Sequence, residues 1–135
     1  MNKLVKASMV GLVAVTLGGT VSTTANAATW HKGTPKALRG NWKRSYRDRG
    51  SKVTINFNIK SKSMSIGRPG WASEDWSNLK YRKVGASTYK IKGTYHNGGM
   101  LTKKNSHMKL MKKSGKVTYK NSWSSSYAYL GWFHK

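Results

Sequence analysis

Apolar and polar residues alternate along most of this chain, most clearly between positions 52 and 60. The apolar positions there are Val53, Ile55, Phe57 and Ile59, and lysine, threonine and asparagine fill the others. A period of two is typical of a β-strand with one buried face and one solvated face. After a short polar stretch, Met64 and Ile66 begin a second run. These segments predict a strand and its hairpin partner.

The same period recurs in shorter segments separated by Gly-, Asn-, Asp- and Pro-containing turns. The further candidate strands lie at 41–47, 79–81, 89–95, 108–110, 117–119 and 127–133. Val84 interrupts one of them, which hints at a bulge, and Trp123 could extend another. About eight short strands with close turns predict an all-β domain, a single antiparallel barrel or a barrel-like sandwich.

Three segments outside the predicted strands have other expected structures. A single helical turn is expected before the first strand, with Thr34 as N-cap, Pro35 at the first position and Gly40 just past the end. Residues 71–78 read as a longer loop in which Ser73 caps a helical turn. A lysine-rich loop is expected to lead into the strand at 108–110.

The first 27 residues have the pattern of a cleaved signal peptide. Lys3 and Lys6 precede an uncharged apolar stretch at 9–21, and Ala25-Asn26-Ala27 provides small residues at a cleavage position. That stretch is shorter than the roughly 20 residues of a spanning helix, which disfavours the alternative of a retained anchor. We expect residues 1–27 to be a signal peptide and 28–135 a cationic domain that is secreted or loosely associated with the cell wall.

Positive charge dominates the composition. The chain has 26 Lys and Arg, three Asp and Glu, and no cysteine. Removal of Lys3 and Lys6 with the signal peptide would leave 24 basic residues against the same three acidic ones. Charge of this size opposes folding by self-repulsion and favours anionic partners. Lysine outnumbers arginine, and lysine is a hydrated point charge suited to diffuse attraction. The absence of cysteine means that packing alone stabilises the domain.

The expected function is therefore non-enzymatic binding of an anionic cell-envelope polymer or surface by a monomer. Candidate polyanion-binding residues fall into two clusters, around the first hairpin and a later one. They are Arg39, Lys43, Arg44 and Arg47, and Lys103, Lys104, Lys109, Lys112, Lys113 and Lys116. Trp71 and Trp76 are the candidate aromatic contacts.

Catalytic, metal and cofactor sites are not expected. The acidic residues are Asp48, Glu74 and Asp75, and the adjacent pair would point apart in extended structure. The four histidines lack close ligand spacing, and no nucleophile elbow or phosphate loop occurs. Two alternatives stay open. Lysine-rich strands with aromatic residues could bind extracellular nucleic acid, or the barrel could carry a small apolar ligand.

Gly40-Asn41-Trp42, which opens the first long strand after a helical turn, resembles the Gly-x-Trp signature of lipocalin-type (calycin) barrels. The resemblance implies that Gly40 and Trp42 form the barrel base, with the indole stacked under a basic side chain from a late strand. The late arginine of that family is missing, and Lys120 is the candidate substitute. Separately, residues 30–40 resemble the start of uncharacterised small extracellular proteins from lactic-acid bacteria.

Overall fold

A computed structural model describes residues 29–123 and 131–135. The predicted signal peptide and most of the strand expected at 127–133 lie outside the described residues. The described chain is all-β. Its eight antiparallel strands form a nearly closed barrel with a single short 3-10 helix, Lys36–Leu38. The predicted fold class is confirmed at this level.

From β2 to β8, each strand pairs with its neighbour in sequence, so the sheet runs in the order β2-β3-β4-β5-β6-β7-β8. The strands are β1 (His31–Lys32), β2 (Gly40–Asp48), β3 (Ser51–Ile59), β4 (Met64–Gly67), β5 (Glu74–Lys83), β6 (Thr88–Asn97), β7 (Leu101–Lys113) and β8 (Lys116–Lys120). The short β4 covers only the first part of β5, and β1 pairs with a later part of the same edge. A gap in the barrel wall therefore lies between β4 and β1.

The last residues of the chain close the barrel between its two end strands. Phe133 pairs with Val117 of β8 through hydrogen bonds in both directions, at 2.8 and 2.9 Å. The next residue, His134, pairs in the same way with Lys43 of β2, at 2.6 and 2.8 Å. One extended segment thus joins the first and last long strands.

The first hairpin has the structure that its sequence predicts. Asp48 lies opposite Ser51, and the two connecting residues, Arg49 and Gly50, have φ of +48° and +83°. Positive φ at both central positions is typical of a two-residue turn whose twist matches that of the strands. The alternation in β3 is also confirmed, because Ile55, Phe57 and Ile59 are all buried.

Alternate residues of the strands fill the barrel with one hydrophobic core. Its members are Leu38, Trp42, Ile55, Phe57, Ile59, Met64, Ile66, Trp76, Leu79, Ile91, Met108, Leu110, Val117, Tyr119 and Phe133. Phe57 lies 5.3 Å from Tyr119 and 5.7 Å from Phe133, between ring centroids, at angles usual for aromatic pairs. Phe133 thus packs in the core and also pairs with β8 where the barrel closes.

The loop predicted at 71–78 is present only at 71–73 and is wrong from Glu74 onward, where β5 begins. Trp76 is consequently a core residue with 3% of its surface exposed. Of the two candidate aromatic contacts, Trp71, at 68%, is the one on the surface. No helical turn forms over the acidic pair. Hydrogen bonding to β4 and β6 on both sides makes this segment a strand.

The lysine-rich loop expected before 108–110 is also wrong, because β7 runs without a break from Leu101 to Lys113. Its first half pairs with β6, although a register shift occurs between Gly93 and Tyr95. The irregularity in β5 lies between Ser77 and Lys80, not at Val84. β5 ends at Lys83, the residue before Val84.

The turn before β2 forms as one turn of 3-10 helix, but Thr34 does not cap it. Pro35 occupies the cap position and makes no side-chain cap. The buried Thr34 instead donates its hydroxyl hydrogen bond to the Lys60 carbonyl, at 2.6 Å. At the other end of the chain, β8 ends at Lys120, so Trp123 does not extend it.

Candidate polyanion-binding surface

Four basic residues lie directly opposite one another across four neighbouring strands, on the face of the sheet that is turned away from the core. Arg82, Lys90 and Lys109 are half-buried there, and Lys120 is buried. Arg82 of β5 faces Lys90 of β6, Lys90 faces Lys109 of β7, and Lys109 faces Lys120 of β8. Their neighbours in sequence, such as Ile91, Met108 and Tyr119, point inward. We call these four residues the first cation row.

A second row runs beside the first, two residues further along the strands. Lys32 of β1 faces Lys80 of β5, Lys80 faces Lys92 of β6, and Lys92 faces His107 of β7. Strands lie about 4.8 Å apart, and two residues span about 7 Å along a strand. The two rows form a compact array of basic side chains, which we call the cation face.

This arrangement is costly for the fold, because like charges directly opposite each other on a sheet are destabilising. Similar pairs occur at the hairpin ends, where Arg47 faces Lys52 and Lys113 faces Lys116. Burial lowers the pKa of Lys120, and the positive charges of Lys109 and Lys90 lower it further.

Two tryptophan rings lie over the cation face and offset part of this cost. Lys92 Nζ is 4.1 Å and the Arg82 guanidinium 5.0 Å from the centroid of Trp30. Lys90 Nζ is 4.5 Å from Trp123, which stacks on His107 at 4.0 Å with 12° between the ring planes. Cation–π contacts of this kind contribute about 0.5–1 kcal/mol each at exposed sites. They also fix the positions of three cations.

The three carboxylate side chains lie away from both rows. Asp48 is at the end of β2 in the first hairpin, and Glu74 and Asp75 begin β5, opposite Asn97 and His96. Asp75 accepts a 2.7 Å hydrogen bond from the Ser73 hydroxyl. Neutralisation of the cation face by acidic side chains of the chain itself is therefore not built into the barrel.

The Glu74 carboxyl has its own consequence for stability. Burial raises its pKa above the usual 4.5, and a hydrogen bond with Tyr95 opposes the shift. The folded chain therefore binds this proton more tightly than the unfolded chain, and stability falls as pH rises through the two pKa values. We expect Glu74→Gln to raise Tm at neutral pH and to lose this advantage below about pH 4.

Asp48→Asn is the matched control, because it removes the same charge at an exposed turn. Thermal unfolding followed by circular dichroism at several pH values measures both variants. A neutral-pH Tm for Glu74→Gln no higher than that of Asp48→Asn would contradict the prediction.

The chain matches no protein-family model, no curated protein and no solved structure. The site must therefore be understood from its own residues. Among residues 29–123 and 131–135, no cluster of His, Asp or Glu could hold a metal ion. The same residues include no helix with the length and apolar character needed to cross a membrane.

The sequence-predicted basic residues are dispersed over the barrel. Lys43 and Arg47 are exposed on β2, whereas Arg44 is half-buried, with its guanidinium 5.5 Å from the Tyr46 ring. Arg39 lies apart, held by Thr34 through two hydrogen bonds. The cluster predicted around the first hairpin is therefore divided between different surfaces.

The later cluster is divided as well. Lys109 belongs to the first cation row, and Lys113 and Lys116 are exposed at the β7–β8 hairpin. Lys104 is exposed on β7, and Lys103 lines a pocket of about 390 Å³ beside Trp76 and Tyr95.

Lys112 points toward the barrel base. Its ammonium group donates a 3.0 Å hydrogen bond to the Ala37 carbonyl and lies 6.0 Å from the centroid of Trp42. The buried Trp42 indole donates a 2.7 Å hydrogen bond to the Leu38 carbonyl. Lys135 Nζ lies 5.0 Å from the same ring. Basic groups from β7 and from the C-terminal segment thus lie near Trp42, and they belong to Lys112 and Lys135 and not to Lys120.

Sequence reasoning missed several members of the cation face, namely Arg82, Lys90, Lys80, Lys92 and Lys32. These residues are far apart in the sequence, and strand register alone brings them into rows. One signal was present, because Lys90 and Lys92 occupy the polar positions of an alternating segment. Two such lysines on β6 indicate one charged outer face, but not the residues opposite.

Proposed function

We propose that this chain is a secreted, non-enzymatic binding protein that associates electrostatically with anionic cell-envelope polymers. The observation that carries the proposal is the alignment of basic residues across neighbouring strands, as in the row Arg82, Lys90, Lys109 and Lys120. Such repulsion brings no benefit to folding and is relieved when a polyanion binds. The cation face is therefore the proposed binding surface.

The chemistry favours a flexible polymer that carries a negative charge on each repeat unit, such as a teichoic acid. Each lysine would contribute a weak contact, and several neighbouring contacts would add up by multivalency. The second row, in which Lys32 and Lys80 are exposed and Lys92 is half-buried, offers cations separated by one strand spacing. A polymer backbone running across the strands could contact them in turn.

The barrel contributes a rigid platform for these charges. We also propose that its base is lipocalin-like, since Trp42 is buried after a 3-10 turn with the ammonium groups of Lys112 and Lys135 near its ring. The aromatic core around Phe57 supports a role as scaffold, with binding on the outside of the barrel.

Salt dependence tests the proposal directly. We expect the protein to bind purified teichoic acid in dilute buffer, and the logarithm of its affinity to fall linearly with the logarithm of NaCl concentration. Binding should be largely lost near 1 M NaCl, where the screening length is about 3 Å. Retention on teichoic acid that does not change up to this concentration would refute electrostatic association.

Nucleic acid is the second candidate ligand, and the exposed Trp71 favours it. The Arg68 guanidinium lies 4.5 Å from the Trp71 ring centroid, so cation and aromatic surface occur together. Competition between single-stranded DNA and teichoic acid in the same assay separates the two. Nucleic acid is favoured if DNA displaces teichoic acid from the parent protein at equal phosphate concentration. The same conclusion requires that DNA displaces it less effectively from the Trp71→Ala variant.

A further inference from the structure

A basic groove occupies the gap in the barrel wall between β4 and β1. Its volume is about 640 Å³, within the range of small-molecule sites. The lining residues are Lys32, Gly33, Arg39, Ser61, Lys62, Ser77, Asn78, Leu79 and Lys80. Four of these are basic and none is acidic. The groove therefore has the polarity of a site for an anion.

Thr34 holds the walls of this groove together. Its amide donates to the Ser61 carbonyl at 3.1 Å, and its hydroxyl donates to the Lys60 carbonyl at 2.6 Å. The preceding residue, Gly33, has φ of +83° and donates its amide hydrogen bond to the Leu79 carbonyl, at 2.7 Å. A Cβ at this position would collide with the Ser61 carbonyl oxygen. The close approach of three segments makes the groove a built feature of the fold.

Arg39 is the fixed cation of the groove. Its Nε donates to the Thr34 hydroxyl at 3.3 Å, and its Nη2 donates to the Thr34 carbonyl at 2.8 Å. A guanidinium has five N–H donors, so further donors on the same rigid plane can bind a ligand. A planar guanidinium held in place is suited to the bidentate recognition of phosphate oxygens.

The lysines around Arg39 come from different elements. Lys32 and Lys80 face each other on β1 and β5, and Lys62 lies in the turn between β3 and β4. Ser61 and Ser77 add hydroxyl groups, which can also donate to oxygen acceptors. Because four positive charges surround one groove, a dianionic ligand would balance them better than a ligand with a single carboxylate.

We propose that this groove is a discrete binding site for one phosphate monoester or inorganic phosphate dianion. Arg39 binds its oxygens in a fixed orientation, and Lys62, Lys80 and Lys32 neutralise its charge. The groove shares Lys32 and Lys80 with the second row of the cation face, whereas Arg39 and Lys62 belong to the groove and to neither row. The apolar wall at Leu79 and the volume of the groove leave room for a small group esterified to the phosphate.

Isothermal titration of the purified chain at constant ionic strength tests this site. The probes are inorganic phosphate, glycerol 3-phosphate and dimethyl phosphate. We expect one equivalent of either dianion to bind, and dimethyl phosphate, a monoanion, to bind at least about tenfold more weakly. The tighter of the two dianions identifies free phosphate or a phosphorylated polyol as the natural source.

Three variants locate the site. Arg39→Lys keeps the charge but loses the planar donors, and we expect about tenfold weaker phosphate binding. Lys62→Gln, in an exposed turn, should weaken binding about three- to tenfold without affecting the fold. Lys83→Gln is the matched control, since Lys83 is an exposed lysine of β5 outside the groove. The phosphate affinity of this variant should stay within about twofold of that of the parent protein.

The proposal is overturned if inorganic phosphate and glycerol 3-phosphate do not bind, or if the diester binds as tightly as the monoester. Equal losses in Lys62→Gln and Lys83→Gln would overturn it too, because they would indicate diffuse charge and no site. None of these results depends on teichoic acid. The polymer-binding proposal can therefore be refuted while the phosphate site is supported, and the phosphate site can be refuted while polymer binding is supported.

Discussion

Replacing Lys90, Lys92 and Lys109 together by glutamine should weaken binding to teichoic acid by about tenfold to a hundredfold at low salt. These residues lie side by side on β6 and β7, in the middle of the cation face. The slope of the logarithm of affinity against the logarithm of salt concentration should also become shallower by about 2 to 3, because fewer counterions are released. Fluorescence polarisation with labelled teichoic acid gives both quantities.

A charge-matched control separates local from global electrostatics. The triple variant Lys36→Gln, Lys60→Gln and Lys83→Gln removes the same charge from exposed positions outside both rows. We expect it to lose less than about threefold in affinity, since these three lysines lie outside both rows and would not contact a polymer that lies across them. If both triple variants lose affinity equally, binding depends on net charge alone and the cation face is not the binding surface.

Trp42→Ala should lower the free energy of unfolding by about 3–5 kcal/mol, the range observed for removal of a large buried aromatic side chain. The residue is 1% exposed, packs at the barrel base and donates its indole hydrogen bond to Leu38. Its loss leaves a cavity and an unpaired carbonyl and removes the ring near the Lys112 and Lys135 ammonium groups. Urea denaturation followed by circular dichroism measures the change.

Trp71→Ala is the control for this variant, because it makes the same chemical change at a side chain that is 68% exposed. We expect its stability to stay within about 0.5 kcal/mol of the parent protein. If the free energy of unfolding is the same for Trp42→Ala and Trp71→Ala, packing of Trp42 at the barrel base does not stabilise the fold, and the prediction is wrong.

The sequence predicts those parts of the barrel in which local pattern and tertiary environment agree. In β3 the apolar positions Ile55, Phe57 and Ile59 are the buried ones. The Arg49-Gly50 turn also forms where glycine permits positive φ. Period and turn chemistry were sufficient here because neither is interrupted.

The strands that the sequence missed or shortened are those in which pattern and environment disagree. In β5 the register shift between Ser77 and Lys80 breaks the alternation, so Trp76 and Leu79 do not share a simple period of two. In β7 the first residues are mostly exposed and include Lys103 and Lys104, which locally resemble a loop. Pairing with β6 makes that segment a strand, and pairing is a tertiary property.

Both candidate sites depend on relations that a linear pattern does not contain. Arg82, Lys90, Lys109 and Lys120 form a row only because β5 to β8 pair in one particular register. The groove around Arg39 requires Thr34 to contact the β3–β4 turn. Composition correctly indicates an excess of positive charge but cannot place it on a surface.

The pairing of His134 with Lys43 has a consequence for how the barrel folds. Because contacts between distant parts of a chain form late, the edge of β2 stays uncovered until the segment at His134 pairs with Lys43. Until this pairing forms, the edge of β2 is open to pairing with a strand of another incompletely folded copy. Lys43 and Arg47, exposed along this strand, would repel such a copy and protect the unfinished barrel from aggregation.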